Sequence, residues 1–335
     1  MMKKIVLFLI LFVAINNKTV YAQTTAELQA TAKTFMRQGD YANAVLILNR
    51  CLEKEPNNTA IGKDLALSYF YLQNNEKALE IIKPVLESKD ADDQCFLIAG
   101  NIYKQLSKPK ESEKIFKKGI KAFAESGPLY NELGELQIAA NNNKDAIKNW
   151  EKGIELSPSY SKNYYNAARF YFASNNNVWC ILYGEIFVNM EPNNPKANQI
   201  KKVIIESYKR LFIDITAAKN YKSNKAFAKL YVEALGKQGI QSSQGINVES
   251  LSMIRSRFII DWFAGNNKPT FKLFEYQQQL LKEGLFEAYN QWLFGAAENE
   301  AGYQNWVKTH TTESAAFSKF HKSRIFKMPS GQYYQ

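Results

Sequence analysis

A small residue recurs at an interval of 34 through the first half of the chain: Ala32, Ala66, Gly100, Gly134 and Ala168. A second small series keeps the same phase, as Ala44, Ala78, Ser112, Ala146 and Cys180. Between them falls a mostly aromatic series, Phe35, Tyr69, Tyr103, Gln137 and Tyr171. A mostly bulky one follows, Leu48, Ile82, Phe116, Trp150 and Gly184. Small side chains are required where two helices approach closely, and large ones where a gap must be filled. Turn residues fall in phase as well: Gly39-Asp40, Asn74-Asn75, Asn141–Asn143 and Asn175–Asn177. Asn and Gly tolerate the left-handed backbone that ends a helix. Pro56, Pro158 and Pro192 stand where a second helix must stop. Several independent demands agree on one period, the mark of a repeat architecture.

The fullest copy is Gly127–Tyr160, with Tyr130, Leu133-Gly134, an Asn-rich turn, Ala146, Trp150, Gly153 and Pro158. It resembles a tetratricopeptide repeat (TPR), a pair of antiparallel helices closed by a turn. Five repeats follow without insertion, at 25–58, 59–92, 93–126, 127–160 and 161–194. Repeats two and three lack the closing Pro, Gly119 departs from the pattern in repeat three, and Gly184 replaces bulk in repeat five. The resemblance implies an all-α fold, a right-handed solenoid whose concave face is lined by first helices. It also implies a partner-binding groove on that face. The groove positions pick out Lys33, Lys63, Phe70, Asn101, Lys104, Asn131, Glu135, Tyr165, Arg169 and Phe172, with Gln29, Met36, Leu67, Leu97 and Ile138 beside them. Asn can bond a peptide backbone, Lys or Arg its carboxylates, and aromatic rings its side chains. The clamp of chaperone-binding members is absent, since Gln29 and Lys33 stand where it needs Lys and Asn.

The ends of the chain carry other signals. Met1–Ala22 has a basic start, an apolar run from Ile5 to Ile15 and a small-residue end, which describes a cleaved secretory signal peptide. No Cys lies near the junction, so a lipoprotein is not indicated. The expected location is the periplasm or cell envelope. Charge is uneven: residues 195–335 hold 20 Lys and Arg against 11 Asp and Glu, whereas residues 23–194 hold 20 against 21. Cys51, Cys95 and Cys180 lie at least a repeat apart, too far to bridge, and read as small packing residues.

Beyond the ladder, 195–235 reads as capping helices, with Pro195–Phe212 closing the last repeat. Residues 236–248, rich in Gly, Ser and Gln, read as a linker or loop, and 249–335 as a helical block. Helices are expected over Val248–Phe263, Phe271–Lys282, Leu285–Phe294, Asn299–His310 and Glu313–Phe320. The stretch Leu273–Gly295 resembles the C-terminal region of exported repeat proteins of Gram-negative bacteria.

Catalytic signatures are missing: there is no H-E-x-x-H, CxxC, G-x-S-x-G or P-loop. His310 and His321 have no third metal ligand in sight, and Glu275, Glu283 and Glu287 read as solvated charge. Trp262, Trp292 and Trp306 read as core, with a sugar-stacking cleft as the functional alternative. The sequence thus predicts a non-enzymatic scaffold, without cofactor or metal, that binds a protein or peptide in its groove. Two rivals remain: binding of an acidic glycan or anionic lipid by the basic block, and an enzyme housed in that block. Nucleic acid is not an expected partner.

Overall fold

In a computed structural model of the chain, residues 23–217, 225–238, 245–265 and 268–335 are described. The signal segment, and residues 239–244 of the loop expected at 236–248, lie outside them. The described residues form helices joined by turns, with a non-helical tail after Ser323 and no strand among them. They fall into two compact units, one within Met1–Lys108 and the other Pro109–Gln335.

The first unit holds α1 (Thr25–Arg37), α2 (Tyr41–Lys54), α3 (Thr59–Tyr71), α4 (Asn75–Val85) and α5 (Asp93–Gln105). The second opens with α6 (Pro109–Ala122), α7 (Gly127–Ala139), α8 (Asn143–Leu156), α9 (Ser161–Ala173) and α10 (Asn177–Met190). These are the paired helices that the 34-residue phase demands. Both small series are buried in every repeat. Their role is visible at Gly134, where an added Cβ would fall within 2.7 Å of Trp150 Cδ1. The indole also donates to the Asn131 carbonyl at 3.3 Å.

The turns keep the period in the backbone itself. Gly39, Gln73, Ser107, Asn141 and Asn175, each the fifteenth residue of its repeat, all have positive φ. The next residue's N–H reaches back to a carbonyl five residues earlier: Asp40 to Phe35, Asn74 to Tyr69, Lys108 to Tyr103, Asn142 to Gln137 and Asn176 to Tyr171. That is a Schellman closure of the first helix. The left-handed residue is Gln73 in repeat two and Ser107 in repeat three, neither an Asn nor a Gly. Asn74 caps the following helix instead, accepting from Lys77 N at 3.2 Å, as Asp40 does from Asn43 N.

After α10 come α11 (Ala197–Ala217), α12 (Ala226–Gly236), α13 (Val248–Ala264), α14 (Lys272–Lys282) and α15 (Phe286–Asn290). A π-helical turn, Gln291–Gly295, leads into α16 (Ala296–Glu298), then α17 (Glu300–Thr309) and α18 (Thr311–Ser323). The expected helix Leu285–Phe294 is thus cut by the π turn. The wider turn brings Gly295 so near Tyr303 that an added Cβ would meet its ring at 2.7 Å. The bulk missing at Gly184 is supplied by α11, whose Ile204 Cγ1 would lie 2.9 Å from such a Cβ. One continuous apolar core runs from Ala146 through α18 to Phe326 and Met328.

What joins the block to the ladder is α10. Its sequence is apolar nearly all round, and every residue from Asn177 to Asn189 is buried. Within it Glu185 forms an ion pair with Arg255 of α13 and accepts from Gln277 of α14 at 2.6 Å and Tyr289 of α15 at 2.7 Å. Arg255 also donates to Asn290, and the Tyr208, Phe286, Tyr289 and Phe294 rings surround its guanidinium at 5.0–5.9 Å. The tail also reaches the ladder. Tyr334 stacks on Phe227 at 4.6 Å, and Gln335 Nε2 donates to the Tyr171 hydroxyl at 2.8 Å. That hydroxyl in turn bonds Glu151 of α8.

Candidate functional site

The first-helix face carries the residues that the sequence marks for binding. In the first unit two of its lysines are matched by acids. Lys33 lies 3.7 Å from Asp64, which also accepts from Gln29 Nε2 at 3.2 Å. Lys63 is ion-paired with Asp92, itself the N-cap of α5 through Cys95 N. Desolvation works against the Lys63 charge, yet the Asp92 bond leaves its pKa raised. Phe70 is half-buried, edge-on to Tyr71 with centroids 5.6 Å apart. Asn101 and Lys104 are half-buried too.

In the second unit the same face is built by α7, α9 and α11. Asn131, fully buried, donates to Glu135 Oε1 at 3.3 Å and accepts from Asn166 Nδ2 at 2.9 Å. Asn166 reaches Glu135 as well, at 3.3 Å. Tyr165 is buried, its ring 4.6 Å from Lys196 Nζ and 5.4 Å from the Arg169 guanidinium, its hydroxyl on Gln199 Oε1 at 3.4 Å. Asn131 and Tyr165 therefore hold neighbouring helices in register rather than face solvent. Arg169 is exposed, Ile138 is 37% exposed, and Phe172 is half-buried beneath Arg210, 4.2 Å away. The arrangement offers two apolar footholds one repeat apart, with a cation and the Glu135 carboxylate beside them. That suits the side chains and charges of an extended peptide.

Elsewhere the sequence candidates separate. Trp262 is buried in the core. Trp292 lies under Lys201 Nζ at 3.9 Å, and the same ammonium donates to the Trp292 carbonyl at 2.8 Å, on the π turn. Burial pushes Lys201 down to about 8. Trp306 stacks on His310 at 4.7 Å, while His321 Nδ1 bonds the Tyr276 hydroxyl at 3.1 Å. The two histidines thus serve different partners. Glu283 pairs with Arg324 at 3.3 Å and Glu275 lies 3.7 Å from Lys272. Among the described residues no group of three or more His, Cys, Asp or Glu is placed to hold a metal. Cys51, Cys95 and Cys180 are buried and unpaired, and burial pushes the last two thiols up to about 11 and 12.

Sequence reasoning missed Glu185 and Arg255, which lie 70 residues apart in the chain. One signal was available: a Glu in the middle of an otherwise apolar helix has to be paired to be buried.

Residues 35–98 match the family model described as Tetratricopeptide repeat. The chain is 29% identical over 181 residues to the aspartyl/asparaginyl beta-hydroxylase of Homo sapiens, a match covering 52% of this chain and 24% of that protein. It is 27% identical over 124 residues to the STIP1 homolog of Dictyostelium discoideum, covering 37% and 22%. The chain thus spans under a quarter of these curated relatives' length. Among solved structures it is similar to pilF of Pseudomonas aeruginosa, at 16% identity and a TM-score of 0.49, over 65% of this chain and 96% of that one. It is also similar to TTC0263, a thermophilic TPR protein of Thermus thermophilus, at 12% identity and a TM-score of 0.45, over 56% and 99%. With helix pairs in a 34-residue register from Thr25 to Met190 and this family match, the chain carries tetratricopeptide repeats.

Proposed function

We propose that the chain is a non-catalytic scaffold that holds an extended peptide segment of a protein partner against the first-helix face of α7, α9 and α11. One observation carries this reading. The polar contacts of the C-terminal block with the ladder fall at Glu185 of α10, Glu151 of α8, Tyr171 of α9 and Lys201 of α11. Away from these, Arg169 and Ile138 stay exposed beside Phe172. Ile138 and Phe172 take apolar side chains, and Arg169 takes a carboxylate. The scaffold works outside the cytoplasm, a reading that rests on the Met1–Ala22 pattern alone and is tested by N-terminal sequencing of the mature protein.

Photo-crosslinking tests the surface. A crosslinker at Ile138 should capture a discrete partner that one at exposed Lys148, on α8, does not. Arg169→Glu should abolish the capture. Equal capture from both positions, or capture indifferent to Arg169→Glu, ends the proposal. A second reading, attachment of the basic half to an anionic polymer, rests on the charge excess of residues 195–335. It predicts binding that falls steeply with salt, which a groove with apolar anchors does not.

A further inference from the structure

Between the C-terminal block and the end of α10 lies a cleft of about 430 Å³, within the roughly 300–1,000 Å³ typical of small-molecule sites. Trp292, Trp306, Phe317 and Phe326 are among its walls. Trp292 comes from the π turn, an irregularity found disproportionately at functional sites. Three residues of the wall each hold a buried polar atom with no partner: Asn189 Oδ1, Trp306 Nε1 and His321 Nε2. A buried polar atom left unpaired costs about 1–3 kcal/mol, so three along one wall favour a ligand with hydrogen-bonding groups of its own.

Their roles are set by their other bonds. Asn189, 3% exposed, donates through Nδ2 to the Tyr289 hydroxyl at 2.7 Å and the Glu185 carbonyl at 2.9 Å. Its Oδ1 is therefore left to accept. Trp306 Nε1 can only donate. His321 is tied through Nδ1 to Tyr276, and burial with nearby Lys201 lowers its pKa to about 4, so the ring is neutral at pH 7. Among the described residues no Asp or Glu lines the cleft, while Lys322 and Arg324 do, and Arg324 is already paired with Glu283.

We propose that this cleft binds a sugar ring bearing a carboxylate, its C–H face against the aromatic walls, its hydroxyls on Asn189, Trp306 and His321, and its carboxylate on Lys322. A ring with hydroxyl edges supplies both the donors and the acceptors that these atoms lack. A flat aromatic anion supplies no donor for Asn189. The site is separate from the ladder face, so it stands or falls independently of peptide binding there.

Calorimetric titration of the intact protein with D-glucuronate, D-glucose and benzoate tests it. D-glucuronate should saturate with a Kd of about 1 mM or tighter. D-glucose should bind about tenfold more weakly, for want of the charge-assisted bond, and benzoate should not bind. Ser318→Phe, which fills the cleft, should abolish binding. Trp306→Phe keeps the ring but loses the N–H, and should weaken D-glucuronate about three- to tenfold. Lys322→Ala should erase the preference for D-glucuronate over D-glucose. No saturable D-glucuronate binding, or benzoate binding as tightly, overturns the proposal. So does a folded Ser318→Phe protein that binds as before. Should Ser318→Phe fail to fold, an unchanged preference in Lys322→Ala does the same.

Discussion

Helices α8 and α10 occupy the same place in successive repeats, yet their surroundings differ completely. In α8, four residues on one face are buried, Ala146, Trp150, Gly153 and Ile154. In α10, thirteen of fourteen are buried. Glu151 and Glu185 hold the same position in those two repeats. Glu151 meets Tyr171 and the end of the tail, and its burial raises the carboxyl pKa above its usual value. Glu185 meets an arginine, a glutamine and a tyrosine from three separate helices. One repeat template therefore yields an ordinary rung when its outer face stays polar, and a docking platform when that face turns apolar around one carboxylate.

The largest effect should come from breaking the platform. Arg255→Leu strands Glu185 in the core and should lower the unfolding free energy by about 3–5 kcal/mol. The double variant Glu185→Leu/Arg255→Leu should recover much of that loss, since it leaves no uncompensated charge. Glu151→Gln, at the matching rung, should cost no more than about 1 kcal/mol. Denaturant titration separates the three outcomes. Similar losses at the two glutamates would show that the platform and the rung do not differ as their burial implies.

The small-residue series gives the next contrast. Gly134→Ala would press a Cβ against the Trp150 ring and should cost about 1–3 kcal/mol. Gly184→Ala meets Ile204 Cγ1 at 2.9 Å, an aliphatic group freer to shift, and should cost less. Equal losses in thermal melts would remove the distinction between a rigid indole contact and a yielding one.

A smaller effect should follow pH. The His321 pKa lies near 4 in the fold and near 6.5 when unfolded. Below pH 6.5 the unfolded chain takes up a proton that the folded chain does not. Stability should therefore fall as pH drops from about 6.5 to about 4, then level off, by roughly 1–2 kcal/mol after allowance for partial exposure. His321→Gln should flatten that part of the profile. An identical profile in the variant would place the pH sensitivity elsewhere.

The smallest concerns the turns. Ser107→Gly relieves a non-Gly residue at φ +56° and should raise stability by about 0.5–1 kcal/mol, whereas repeat one already has Gly39 at that position. A destabilised Ser107→Gly protein would mean that the serine side chain has another task.

These contrasts also explain what the sequence discloses. The ladder is legible because each demand is local and restated in every repeat. Ala32, Ala44 and Trp150 each predict their neighbour within one repeat. Even there, the left-handed position was readable in three repeats only, because Gln73 and Ser107 are not the residues that φ > 0 favours. Helices α13, α14 and α18 were legible from apolar spacing, but their docking was not. Glu185 finds Arg255, Gln277 and Tyr289 at separations of 70 to 104 residues, with no repetition to set a register. Of the binding-face residues, repeat position alone could not tell Asn131 and Tyr165, which brace helices, from Arg169 and Ile138, which face solvent. Asn131 is covered through Asn166 of α9, and Tyr165 through Lys196 and Gln199 at the start of α11, pairings that position within a repeat does not encode.

The saturation of α10 fixes how a chain like this can change length. Its outer face is already committed to α12–α15, so no further helix pair can be appended behind it without evicting them. Duplication or loss of a 34-residue cassette has to occur ahead of Ser161, where each join meets the same small-residue seam on both sides. Within the second unit α10 thus ends the series of repeats as a chain stopper ends a polymer.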